Sequence, residues 1–202
     1  MSQLIVAWMP EDPRRTGLEM MSGVIDKLTG GFSAGVGFRI ARVCRRCGSD
    51  AHGKPQVMMG DGSTATTHVS LSRAGGLVLV AATNAGPVGV DIEAAGAADF
   101  HHHADVVLHD EERPCDDPTR MWVRKESVLK ATGHGLTIDP RSIRVSAPDR
   151  RPELLIWPAG EEMTGPAQMF DLAMPEGYSA ALTVLIGERP EIVVTGSATA
   201  AG

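Results

Sequence analysis

The sequence lacks most features of a secreted, membrane-spanning or nucleic-acid-binding protein. It has three cysteines in 202 residues, an odd and small number that suits a reducing compartment better than a disulfide framework. No apolar run approaches the roughly 20 residues that a membrane-spanning helix needs. Aromatic residues make up 4% of the chain and no dense basic stripe accompanies them, so we expect no nucleic-acid partner.

The opening stretch, MSQLIVAWMPEDPRR, also lacks the features of a secretory signal. Its charged residues follow the short apolar segment instead of preceding it, and no small-residue cleavage site is visible. We therefore expect a cytoplasmic protein that makes no membrane contact.

What the sequence does contain is ordinary for a globular protein, with 43% hydrophobic and 22% charged residues. The net charge of −6 is unevenly divided, because residues 1–90 carry +3 and residues 91–202 carry −9. Uneven solvation of the surface would explain this imbalance. A basic half that holds an anion, facing an acidic half that holds a cation, would explain it equally well.

Hydrophobic patterning predicts a helix and several strands in the first part of the chain. Residues 14–28 have an amphipathic helical pattern, and strand patterns follow it up to LVLVAAT, residues 77–83. The turn NAGP then predicts a hairpin between LVLVAAT and VGVDIE, residues 88–93. Pro87 is the natural boundary between two halves.

The second part repeats this layout. Its clearest element is the helix TRMWVRKESVLKAT, residues 119–132, which we expect to end at Gly133. Five short apolar segments follow and predict an antiparallel β-meander. We therefore predict an α+β fold of two pseudo-symmetric halves, residues 1–87 and 88–190, with a tail at 191–202.

Two carboxylates stand on one side of a strand that otherwise has the pattern of a buried one. In GVDIEAAG, residues 89–96, Asp91 and Glu93 are two positions apart and therefore point to the same face. On the helix, Glu126 and Lys130 fall in the middle of an apolar arc. A glutamate and a lysine at i and i+4 usually form an exposed ion pair. The apolar arc predicts that this pair is buried, and buried charges need further charged partners to compensate them.

These charged groups together predict a magnesium site. Three carboxylates at one place would repel, and at least one pKa would rise sharply without a cation between them. Oxygen-only ligands suit Mg²⁺, which usually binds substrate phosphates as well. Lys130, one turn from Glu126, would then neutralise a phosphate oxygen. The pattern indicates phosphoryl-group chemistry.

The same residues resemble the signature motifs of the Sfp-type phosphopantetheinyl transferases. That family has a G-[IV]-D-[IV]-E strand, then W-x-x-K-E-[AS]-x-x-K on a helix, and here GVDIE and WVRKESVLK occupy those places. Upstream, HGKP at 52–55 matches the family's G-[KR]-P turn, and CRRCGSDAHGKP is similar to the version in actinobacterial members. HVSLS at 68–72 aligns with the family's N-[IV]-S-H-S strand. The resemblance covers residues 44–146.

The resemblance implies a reaction and a fold. The family moves the phosphopantetheine arm of coenzyme A onto a serine of an apo acyl or peptidyl carrier protein and releases adenosine 3′,5′-bisphosphate. Two similar α+β halves form its active site at their interface, so we expect a monomer to suffice. Residues 94–120 match the family's carrier-protein contact region.

The resemblance also implies a role for each matching residue. Asp91, Glu93 and Glu126 would bind Mg²⁺. Glu126, directly or through a water, would help deprotonate the serine, and Lys130 would stabilise charge on the pyrophosphate. The remaining expected coenzyme A contacts, at the nucleotide and its 3′-phosphate, are Lys54, Ser70, His68, His52, Arg14 and Arg15.

Two departures from the family pattern support an alternative function. Leu71 stands where the family has a phosphate-binding histidine. The N-terminal helical region, which in the family carries several basic residues near the 3′-phosphate, is shorter in this sequence. A degenerate homologue that binds coenzyme A or a carrier protein without efficient turnover would share these features. An unrelated Mg²⁺-binding protein is a third hypothesis, which the paired motifs disfavour.

Cys44, Cys47 and His52 begin a zinc-ribbon spacing. No second CxxC follows, and a structural zinc site needs four ligands. We therefore favour a tight turn that presents Lys54 over a zinc site.

Overall fold

The computed structural model describes residues 3–30, 37–44, 47–96, 104–113 and 115–196. It has a mixed α+β fold, as predicted, with few helices and several sheets. The strands are β1 Gln3–Pro10, β2 Phe38–Val43, β3 Lys54–Met59, β4 Thr64–Ala74, β5 Leu77–Thr83, β6 Val88–Ala94, β7 Arg144–Val145, β8 Leu154–Ile156, β9 Ala167–Asp171, β10 Tyr178–Leu185 and β11 Glu191–Gly196. The helices are α1 Gly17–Thr29, α2 Ala104–Val107 and α3 Pro118–Thr132, with 3₁₀ turns at Gly135–Thr137 and Pro140–Ser142.

The first sheet has six strands in the order β11-β1-β5-β4-β3-β2. Helix α1 covers one face through buried side chains that include Met21 and Ile25. The helix begins at a capping box in which Thr16 accepts from the Glu19 amide and Glu19 accepts in return from the Thr16 amide. It ends at Gly30, whose φ of 70° is easiest for glycine.

The second sheet has the order β6-β10-β9 and packs against the uncovered face of the first. Side chains alternate along β6, so one face of the strand packs in the core and the other carries the acidic residues. Val88, Val90 and Ile92 are fully buried in the core between the sheets. Gly89, Asp91 and Glu93 have the intervening positions and therefore face the opposite side.

Helix α3 lies close to β6 because small residues face it. A Cβ on Gly89 would stand 2.1 Å from the Ser127 carbonyl oxygen, and the Ser127 hydroxyl is 2.7 Å from that of Thr183 on β10. The helix begins with Asp117, whose side chain accepts from the Arg120 amide, and ends at Gly133 as predicted. This packing fixes the distance between the acidic strand and the helix.

Several predicted connections are wrong. Residues 77–83 and 88–93 do not form a hairpin: β5 pairs on its two edges with β1 and β4, so β6 passes to the second sheet and pairs with β10. The single meander is also absent, since β7 and β8 form a separate ribbon. Residues 191–196, assigned above to a tail, form β11, which pairs in parallel with β1. Residues 197–202 lie outside the described part of the chain.

None of the helices within the described residues has both the length and the apolar character to span a bilayer.

Candidate active site

Lys130 on α3 and Asp91 on β6 form the centre of the site. Lys130 Nζ lies 2.5 Å from Asp91 Oδ1, and the side chains are 28% and 5% exposed. The Ser72 hydroxyl on β4 donates to the same carboxylate oxygen at 2.8 Å and accepts from Lys130 Nζ at 2.9 Å. A strand of the first sheet, a strand of the second and α3 therefore meet at these three side chains.

Two carboxylate oxygens beside this cluster have no partner among the described residues. Asp91 Oδ2 and Glu126 Oε1 are both buried without a hydrogen bond. Burial is the main reason that the pKa of Glu126 rises to about 7, and the Asp91 charge adds to it. Unpartnered buried carboxylate oxygens are costly unless a proton or a cation satisfies them.

The pKa values of the two strand carboxyls are shifted in the same direction. Burial raises the pKa of Asp91 against the opposing effect of Lys130. Burial also raises the pKa of the half-buried Glu93, and the Asp91 charge raises it further, while a hydrogen bond from Trp122 lowers it. The three acidic side chains are thus close enough to influence one another.

Asp91, Glu93 and Glu126 have the chemistry of a divalent cation site, although Lys130 Nζ is hydrogen-bonded to Asp91 Oδ1. Three carboxylates supply the oxygen ligands that Mg²⁺ prefers, and two of their oxygens are unpartnered. Their ligand atoms are not all gathered within 4.8 Å of one another. For Asp91 to bind a cation with both oxygens, Lys130 Nζ would have to turn away from it.

A cavity of about 710 Å³ adjoins this cluster and lies between the two halves of the chain. Residues from both halves contribute to its wall, including several that the sequence singles out. Among them are Lys54, His52, Ser70, Leu71, Glu126 and Lys130. The volume suits a small-molecule ligand.

Lys54 and Ser70 join the two halves at this wall. Lys54 Nζ on β3 donates to the Ala131 carbonyl near the carboxyl end of α3, where a cation is favoured by the helix dipole. The Ser70 hydroxyl on β4 accepts from the Val90 amide on β6 at 3.1 Å. Among the described residues the Ser70 hydroxyl proton has no acceptor, so it can be donated to a ligand oxygen in the cavity.

The other expected coenzyme A contacts lie elsewhere. Arg14 and Arg15 line a separate cavity beside Pro10 and Met20, and Arg14 forms an ion pair with Asp12 at 3.0 Å. His68 lies on the wall of a third, smaller cavity together with Lys54. Burial, aided by the Lys54 charge, lowers the pKa of His68. These three residues are not brought to the wall of the large cavity.

Sequence reasoning missed two residues of the site. Ser72 bonds both Lys130 and Asp91, and its period-two spacing from Ser70 is the signal that places both hydroxyls on one side of β4. Arg42 on β2 supplies a further cation to the cavity wall. Nothing local distinguishes Arg42 from the other arginines of the first half.

Two buried cations fix the position of α3. Arg124, with a fully buried side chain, donates to both Asp171 oxygens, at 2.9 and 2.6 Å, and to the carbonyls of the 146–150 segment. Lys125 Nζ donates to Glu112 Oε2 at 2.6 Å and to the Val107 carbonyl at 2.7 Å. Their neighbours satisfy both charges, so the helix face beside the cavity keeps a single orientation.

A comparison with models of known protein families gave a match over part of the chain. Residues 87–182 match the family model of the 4′-phosphopantetheinyl transferase superfamily. The match confirms the resemblance at the level of the superfamily and covers a little less than half of the 202 residues. The matched range contains the three carboxylates and Lys130, and the match suggests phosphopantetheine transfer in general. A comparison with curated proteins gave no match.

Proposed function

We propose that the chain is an Sfp-type 4′-phosphopantetheinyl transferase. It would transfer the phosphopantetheine arm of coenzyme A to a serine of an apo acyl or peptidyl carrier protein and release adenosine 3′,5′-bisphosphate. The observation that carries this proposal is the pair of unpartnered buried oxygens, Asp91 Oδ2 and Glu126 Oε1, next to a cavity lined by two lysines. An oxygen-rich cation site beside basic side chains suits a pyrophosphate substrate.

Asp91, Glu93 and Glu126 would hold Mg²⁺, which when bound would offset the negative charge of the pyrophosphate. Glu126 would also accept the proton of the incoming serine, directly or through a water. Its pKa of about 7 describes the metal-free protein, and bound Mg²⁺ would lower it. Lys130 Nζ would leave Asp91 and donate to the pyrophosphate as the bond to the leaving group breaks. Ser72 would then keep a hydrogen bond to Asp91.

The first half would bind the nucleotide. Lys54, Ser70 and His52 line the cavity and would contact the phosphates or the base. The position of Arg42 on the same wall makes it a better candidate for the 3′-phosphate than Arg14 or Arg15. The proposal retains the other expectations from the sequence: a monomer, two pseudo-symmetric halves with the active site at their interface, and carrier-protein contact through residues 94–120. Of that segment, residues 97–103 and 114 lie outside the described part of the chain.

Leu71 supports a second candidate, a homologue that binds coenzyme A or a carrier protein with little turnover. Leu71 is one of the residues of the cavity wall, and its side chain packs against the core beneath α1. A leucine there cannot donate a hydrogen bond to phosphate. Intact Asp91, Glu93, Glu126 and Lys130 favour the active enzyme over this alternative.

Mass spectrometry of the carrier protein tests the proposal. The protein is mixed with coenzyme A, Mg²⁺ and a panel of apo carrier proteins, and we expect one carrier to gain the mass of a phosphopantetheine group. Glu126→Gln and Asp91→Asn should abolish the gain, whereas Glu188→Gln, at an exposed position, should leave it unchanged. No gain with any carrier, together with coenzyme A binding that survives, would favour the binding protein instead.

A further inference from the structure

We propose that Cys44, Cys47 and His52 bind one zinc ion at the edge of the large cavity. The two Sγ atoms and a ring nitrogen of His52 all lie within 4.8 Å of one another. Cys47 Sγ is 3.3 Å from His52 Nε2. Within the described ranges of the chain, no other three histidine, cysteine or acidic side chains bring their ligand atoms so close.

The measured sulfur-to-nitrogen separation is close to that of a tetrahedral zinc site. With zinc bonds of about 2.3 Å to sulfur and 2.0 Å to nitrogen, a tetrahedron places sulfur and nitrogen roughly 3.5 Å apart and two sulfurs roughly 3.8 Å apart. The 3.3 Å between Cys47 Sγ and His52 Nε2 is close to the first of these values. The Cys44 sulfur lies within 4.8 Å of both atoms, so three soft ligand atoms converge on one place.

The backbone holds the three ligands together. The Cys44 amide donates to the Ser49 carbonyl and the Gly48 amide donates to the Cys44 carbonyl, both at 2.9 Å. Gly48 has a φ of 70°, which lets the chain reverse directly after Cys47. Gly53 has a φ of 113°, and a Cβ there would stand 2.5 Å from the Val43 carbonyl oxygen. Glycine at position 53 therefore allows His52 to return beside the cysteines.

The site differs in chemistry from the carboxylate cluster. Two thiolates and an imidazole select zinc or another soft metal, whereas Mg²⁺ requires oxygen ligands. All three residues also line the large cavity, so the fourth position faces that space and would take a water. The sequence shows only three protein ligands, and a water in the fourth position would complete the coordination of the zinc ion.

A metal here would stabilise one wall of the cavity. Residues 44–53 connect β2 to β3, and Lys54 is the first residue of β3. A zinc ion would tie the two ends of the connection together and so hold Lys54 against α3. The inference does not depend on the proposed transfer reaction, because it requires only that the site bind metal.

Metal analysis of the reduced protein tests the inference. We expect one equivalent of zinc per chain after loading and dialysis, with none retained by Cys47→Ser or His52→Ala. Both residues are exposed, so these changes leave the core intact. Cys115→Ser is the matched control, since Cys115 contacts Met121 away from the site, and it should retain the full equivalent. Excess Mg²⁺ should displace none of the zinc.

Cobalt substitution supplies a second, independent readout. Co²⁺ in place of zinc should give a thiolate-to-cobalt charge-transfer band, which weakens in Cys44→Ser and in Cys47→Ser and persists in Cys115→Ser. Zinc retained equally by the wild type and by Cys47→Ser would overturn the inference. So would the absence of zinc and of a cobalt band in protein whose thiols titrate as reduced. A Cys44–Cys47 disulfide that persists in reductant would also overturn it, and would indicate a redox pair instead of a metal site.

Discussion

Lys130 Nζ donates to Asp91 Oδ1 across the contact between α3 and β6, at 2.5 Å. Ser72, from the first sheet, bonds to both partners. The interaction therefore ties together the three elements that form the site, and it satisfies one Asp91 oxygen while leaving the other unpartnered. A lysine so placed competes with a cation for Asp91, and its release would put a positive charge on the cavity wall.

Lys130→Met should separate cation binding from catalysis. Without the competing ammonium, Mg²⁺ should stabilise the variant at least as much as the wild type, measured as the rise in Tm on adding the ion. Carrier loading should nevertheless fall by about 100-fold or more, because the ammonium that would donate to the pyrophosphate is lost. Lys27→Met, at an exposed position of α1, is the control and should change neither. A loss of the Mg²⁺ effect in Lys130→Met would show that Lys130 supports the cation site.

Glu126 should make the stability of the metal-free protein depend on pH. Its folded-state pKa of about 7 lies above the ordinary value of 4.5, so between these values the folded protein binds more protons than the unfolded chain. The free energy of unfolding must therefore fall as pH rises through this window. We expect Glu126→Gln to remove part of that fall, on the order of 2 kcal/mol, in urea titrations from about pH 5 to about pH 8 with EDTA.

The difference between wild type and Glu126→Gln is the informative quantity in that experiment. The raised pKa values of Asp91 and Glu93 act in the same direction, and the lowered pKa of His68 acts in the opposite one. All three groups are present in both proteins, so the subtraction isolates Glu126 to a first approximation. Parallel pH profiles for the two proteins would mean that Glu126 titrates as an exposed carboxyl. Above pH 7, added Mg²⁺ should stabilise the wild type more than the variant.

Leu71→His should strengthen the binding of coenzyme A. A histidine in the cavity wall could donate to a phosphate oxygen, and a hydrogen bond to a charged group contributes about 1.5–3 kcal/mol. We expect the dissociation constant to fall about tenfold, measured by calorimetry, whereas Leu71→Met should leave it unchanged. Equal affinities for the wild type and Leu71→His would indicate that the phosphates bind elsewhere on the wall.

The sequence predicts the acidic strand and the helix of the site well because both depend on local periodicity. Alternation along residues 88–93 separates Asp91 and Glu93 from the buried valines, and the period of the helix places Glu126 and Lys130 one turn apart. The cap at Gly133 follows from equally local rules. These features require no knowledge of which strands pair.

Long-range pairing is what the sequence could not predict. The turn at residues 84–87 is a hairpin signal, yet β1 and β4 occupy both edges of β5 and exclude β6. Arg124 and Lys125 stand on the side of the helix away from the acidic strand, a position normally solvated. Both are buried because Asp171 pairs with Arg124 and Glu112 pairs with Lys125. Both acids come from other segments of the chain, and no local sequence pattern indicates that these segments contact α3. Tertiary context overrides local pattern at these points.

Gly89→Ala should damage both stability and transfer, because α3 leaves no space for a methyl group on β6. The added Cβ would stand 2.1 Å from the Ser127 carbonyl oxygen and 2.4 Å from the Ala131 amide nitrogen. Both are backbone atoms, so no change of rotamer relieves the clash. We expect the free energy of unfolding to fall by about 3 kcal/mol. Displacement of α3 should also separate Glu126 from Asp91 and abolish carrier loading.

Gly23→Ala is a control for which we expect the opposite effect on stability. Gly23 lies within α1, and no atom stands within 4 Å of the position of an added Cβ, so alanine should stabilise the fold by up to about 1 kcal/mol. Equal stability of the two variants in urea would contradict the close packing of α3 on β6.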